Sequence, residues 1–126
     1  MVNLLTDNMI RVGRELIEYL DDKNLSINSA FWFYSSESNN WKLLLSSPKV
    51  RQNGPRYLYK LIQRALLTFP ERHLSLSDIS VLDDRNHMIN NLKGAIHTGK
   101  GFSDIRFTHN FVNGVLIEDA YIYRLN

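Results

Sequence analysis

The chain has 126 residues, no cysteine, 44% apolar and 22% charged residues, and a net charge of +2. That length can bury a core without a staple, and the missing cysteine excludes disulfides, thiolate zinc sites and cysteine nucleophiles. The balance of apolar and charged residues excludes a disordered or coiled-coil chain, while so mild a positive charge marks a nucleic-acid binder only if it is gathered on one face.

Thr6 to Asp22 reads as a helix capped by Thr6 or Asp7, with Met9, Ile10, Gly13, Leu16, Ile17 and Leu20 on one stripe. Asp7, Arg11, Arg14, Glu15 and Glu18 interrupt its apolar residues, so neither a signal peptide nor a spanning helix is expected there, and the cytoplasm is the expected location. Two β-rich runs follow, Ile27 to Ser36 and Trp41 to Ser47, separated by the turn-forming Glu37, Ser38, Asn39 and Asn40. Gly54-Pro55 then starts a second helix with Leu58, Leu61, Ile62, Ala65, Leu66 and Phe69 at helical spacing, ended by Pro70.

Leu74 to Leu82 has the length of a strand, and Asp83 or Asp84 is placed to cap a third helix carrying Met88, Ile89, Leu92 and Ile96. Gly99 and Gly101 break that helix. Two final β-rich runs, Phe102 to Val112 and Val115 to Leu125, flank Asn113-Gly114, the strongest hairpin signal in the chain. The order α-ββ-α-β-α-ββ predicts an α+β fold in which helices pack on one largely antiparallel five-stranded sheet. No repeat or long polar linker divides residues 1–126, so a single domain is expected.

Three groups of residues point to chemistry. Between residues 49 and 72, six cations and the single acid Glu71 give a local charge of +5. Arg56, Lys60 and Arg64, spaced by four, form a stripe suited to phosphates or an acidic protein, although a merely solvated helix face has the same pattern. Strand alternation places Phe31 and Phe33 on one sheet face and Trp32 and Tyr34 on the other. Were one face uncovered, Trp32 and Tyr34 with Trp41 would offer a stacking or protein-binding patch; core packing explains the same run.

A two-residue turn at Asn113-Gly114 pairs His109 with Glu118. Regular alternation would set that pair among Ile105, Phe107, Phe111, Leu116, Ala120 and Ile122, as a base and its orienter or as a structural hydrogen bond.

Weaker signals complete the reading. Gly94 to Gly101 has the glycine and lysine spacing of a phosphate-binding loop, but glycine replaces the final hydroxyl residue and the segment follows a helix instead of a strand. A modest anion loop around Lys100 survives that objection. His73, His87, His97 and His109 lack metal-ligand spacing, no nucleophile elbow is present, and no cofactor or metal is expected. The expectation is a non-catalytic interaction or regulatory module that binds a protein partner or itself, with nucleic-acid binding through the basic stripe and a small His109/Glu118 enzyme as alternatives; no membrane partner is expected.

Overall fold

The computed structural model describes residues 4–69 and 74–126. Helix α1 spans Asp7–Asp22, and Thr6 caps it by accepting the Met9 amide on Oγ1 at 3.1 Å. Its stripe Val12, Leu16, Ile17 and Leu20 is buried. Strands β1 (Ser29–Ser35) and β2 (Asn40–Ser47) form the expected antiparallel hairpin.

Two helices then occupy the place where one was expected. Ser47 caps a short α2 (Pro48–Asn53) with Pro48 in its first turn, Gly54 breaks the chain at φ 83°, and α3 runs Pro55–Thr68. The expected stop at Pro70 lies outside the described residues. Together α2 and α3 form the crossover that lets β3 (Ile79–Asp83) lie parallel to β2, the one parallel pairing in a mostly antiparallel sheet.

Helix α4 (His87–Ala95) is capped by Asn86, not by Asp83 or Asp84 as the sequence suggested. Asp83 ends β3, and both aspartates pair with Arg51 instead. Strands β4 (Ile105–Val112) and β5 (Val115–Leu125) close the order β3-β2-β1-β5-β4. The first of these begins three residues later than expected, and β3 is shorter because a 3₁₀ turn occupies Leu76–Asp78.

Helices cover both faces of the sheet. Leu16, Ile17 and Leu20 of α1 and Leu58, Ile62 and Ala65 of α3 share one core with Trp32, Trp41, Leu43 and Tyr123. On the other face Ile89 and Leu92 of α4 pack with Phe31, Leu44, Ala120 and Ile122. Alternation along β1 therefore holds, with Phe31 and Trp32 each fully buried under a different helical layer.

The β1–β5 register shifts by one between Ala30 and Phe31, which leaves Tyr123 without a partner on β1. A bulge of this kind turns consecutive side chains toward one face. Both Tyr123 and Arg124 consequently reach α1: the Tyr123 hydroxyl donates to the Ile10 carbonyl at 2.6 Å, and Arg124 binds both carboxylate oxygens of Asp21 at 3.0 and 2.9 Å.

Candidate functional site

The final hairpin keeps the register that Asn113-Gly114 implied, from Val112↔Val115 back to Ile105↔Ile122, but the ladder skips the rung between His109 and Glu118. His109 sits at φ 46°, in the left-handed region that strands avoid. Below it Ile105 and Phe107 pack into the α4 core; above it Val112 and Ile117 take the interior position, and Phe111 and Leu116 are turned outward, 74% and 44% exposed. The expected apolar setting for a His109–Glu118 pair is thereby corrected. His109 is exposed and its imidazole has no hydrogen bond among the described residues, while Glu118 accepts the Ser36 hydroxyl at 2.8 Å and its amide at 3.3 Å. Glu118 is thus a strand-to-turn tie, and the two side chains are not joined as a base and its orienter would be.

The aromatic candidates are packed instead of displayed. Trp32 is fully buried and its indole donates to the Tyr123 hydroxyl at 2.9 Å. Trp41 is buried beneath the half-buried Tyr34, ring centroids 5.5 Å apart, and the Arg106 guanidinium lies 5.5 Å from its centroid. Arg106 is itself clamped by Asp119 through two 2.7 Å bonds, and that hydrogen-bonded carboxylate raises its pKa against the opposing effect of burial. No stacking platform results from Trp32, Tyr34 and Trp41.

The basic stripe is exposed as the sequence implied. Arg56, Lys60 and Arg64 project from α3, and residues 48–68 contain no acid. Arg11, Arg14, Arg51, Arg85, Arg106 and Arg124 each form an ion pair with a carboxylate; Arg56 and Arg64 form none among the described residues. Tyr57, 43% exposed, stands beside Arg56 in the sequence.

A further feature escaped the sequence reading. At the end of the sheet opposite the Asn113-Gly114 turn, a cleft of about 360 Å³ opens between the loop joining α1 to β1, Lys100 and the end of β5. Arg124 forms its buried wall, held by Asp21 and by the Ile27 carbonyl at 2.8 Å. The hints in the sequence were the anion-loop signal around Lys100 and a cation set between Tyr123 and Leu125 in an otherwise apolar strand end. The phosphate-loop spacing of Gly94 to Gly101 falls on the end of α4 and the irregular segment before β4, the reverse of the order a phosphate loop requires.

Among the described residues no three His, Asp or Glu side chains converge as metal ligands, and no helix is long and apolar enough to cross a membrane; His73 lies outside those residues. Fold and surfaces together define an α+β protein with one mixed five-stranded sheet between two helical layers. Comparison with known protein families, with curated proteins and with solved structures gives no match.

Proposed function

We propose that this chain is a non-catalytic, cytoplasmic interaction module that pairs with a second copy of itself along the β4 edge. The carrying observation is the outward pair Phe111 and Leu116, directly opposed on the β4–β5 ribbon while every other phenylalanine and tryptophan among the described residues is buried or half-buried. An edge strand offers unpaired backbone groups, and proteins usually guard such an edge with charge. Residues 107–117 contain no Lys, Arg, Asp or Glu. A neutral apolar patch is self-complementary about a two-fold axis without needing an oppositely charged partner. Covering one Phe side chain contributes about 2–3 kcal/mol, so a two-fold contact that covers two copies of Phe111 and Leu116 has a substantial driving force. The test is the mass of the chain in solution, with Phe111→Asp as the variant that restores a monomer.

The second reading is polyanion binding through α3, favoured by the exposed Arg56, Lys60 and Arg64 on a helix pair without acids. Its test is the dependence of oligonucleotide affinity on salt.

A further inference from the structure

From the cleft at the end of β5 we infer a binding site for a small polar oxyanion, a carboxylate- or phosphate-bearing molecule. This site lies at the opposite end of β5 from Phe111 and Leu116 and is independent of the self-pairing proposed above. Three observations carry it.

The first is charge. Lys100 and Arg124 line the cleft against a single acid, Asp21, so its wall holds one positive charge in excess. Asp21 and Arg124 neutralise one another through two bonds, and Arg124 also donates to the Ile27 carbonyl, so the excess charge resides on Lys100. Lys100 has no ion pair or hydrogen bond among the described residues and stands exposed between Gly99 and Gly101, a backbone setting that lets its ammonium swing over the opening.

The second is the wall itself. Ile27 is its only apolar residue, and the other seven bring amide, hydroxyl or charged groups on aliphatic stems that also line the opening. Neighbouring bonds hold it in place: the Asn28 carbonyl accepts the Asn126 amide at 2.7 Å, the Asn28 side chain accepts the Ser46 hydroxyl at 2.6 Å, and the Asn126 side chain donates to the Thr98 carbonyl at 3.1 Å. Such fixed polar groups are preorganised and lose little entropy when a ligand arrives.

The third is the backbone. Asn24 and Ser26 are both left-handed, at φ 57° and 56°, in the loop that forms one side of the opening. For serine this conformation costs on the order of 1 kcal/mol, and strain of this kind concentrates at ligand clamps. At about 360 Å³ the cleft matches the lower end of small-molecule sites and excludes a macromolecule from its interior.

Titration of the intact chain, followed by backbone amide resonances at constant ionic strength, tests the site. Sodium lactate and inorganic phosphate serve as probes. The expected result is saturable shifts at Ser26, Asn28, Lys100 and Asn126 with one or both probes, lactate alone identifying a carboxylate ligand and phosphate alone a phosphoryl-bearing one. Lys100→Met keeps the aliphatic stem at an exposed position and should weaken binding about five- to tenfold. Absence of saturable shifts with both probes would overturn the site. So would anion binding that Lys60→Met abolishes and Lys100→Met leaves intact, since that places the anion on α3. Neither outcome bears on self-pairing through Phe111.

Discussion

The indole Nε1 of Trp32 donates at 2.9 Å to the Tyr123 hydroxyl, which in turn donates to the Ile10 carbonyl at 2.6 Å, joining sheet to helix inside the core. Gly13 makes room for this chain of bonds. A Cβ placed there would lie 2.5 Å from the Tyr123 hydroxyl oxygen and 3.0 Å from the Trp32 nitrogen. Alanine ordinarily favours a helix over glycine by about 1 kcal/mol. Here the obstructing atoms are anchored, so Gly13→Ala should instead destabilise by roughly 1–3 kcal/mol in a urea titration. A more stable variant would show that Tyr123 is free to move.

Tyr123 also makes stability depend on alkaline pH. Burial pushes its phenol well above the ordinary range near 10, outweighing the hydrogen bond from Trp32 that favours the phenolate. A group whose folded pKa is raised contributes stability that is complete below its unfolded pKa and is lost as pH rises toward the folded value. Unfolding free energy should therefore be insensitive to Tyr123 below pH about 10 and fall above it. Tyr123→Phe should lower stability at neutral pH by about 1–3 kcal/mol, because it strands the Trp32 N–H, and flatten the alkaline decline. Half-buried Tyr121, held up by desolvation and its bond to Asp104, adds a smaller slope of the same sign that persists in the variant.

Ser29 carries the opposite kind of polar group. Its hydroxyl is fully buried at the start of β1 and has no hydrogen-bond partner among the described residues. Removing an unsatisfied buried hydroxyl relieves a desolvation penalty, so Ser29→Ala should be neutral or stabilising by up to about 1 kcal/mol. Thermal unfolding measures it, and a clear loss of stability would mean that Ser29 is hydrogen-bonded after all.

The hairpin shows how far local sequence signals reach. Asn113 and Gly114 both adopt positive φ, as a tight turn needs, and that dipeptide set the register all the way to Ile105. It did not set the faces, because face assignment assumes unbroken alternation and nothing about a histidine announces a left-handed residue in mid-strand. Phe111 consequently read as core and lies on the surface. Ser47-Pro48 was a legible start for α2, a cap followed by proline in the first helical turn, hidden only by the shortness of the helix. The cleft had only two separate hints, the anion-loop signal at Lys100 and the lone cation Arg124; the tertiary fold that joins them to Asp21, Asn24, Ser26, Ile27, Asn28 and Asn126 has no local pattern. Trp32 and Trp41 illustrate the reverse case, where residue type allowed surface or core and only the position of α1 and α3 decided it.

For the basic face of α3, three phosphate contacts would give the logarithm of the association constant for a labelled oligonucleotide a slope of about −2 to −3 against the logarithm of salt concentration. Arg64→Gln should reduce that slope by about one phosphate contact without altering the thermal midpoint, since Arg64 is exposed and unpaired among the described residues. A salt-independent titration would assign Arg56, Lys60 and Arg64 to solvation alone.

Self-pairing along β4 is the central claim, and sedimentation equilibrium across a range of protein concentrations tests it most directly. The expected result is a concentration-dependent dimer that Phe111→Asp converts to a monomer with unchanged circular dichroism, because the substituted side chain points to solvent in the single chain. A wild-type chain that stays monomeric at the highest concentration, or a Phe111→Asp variant that dimerises as readily as wild type, would contradict it.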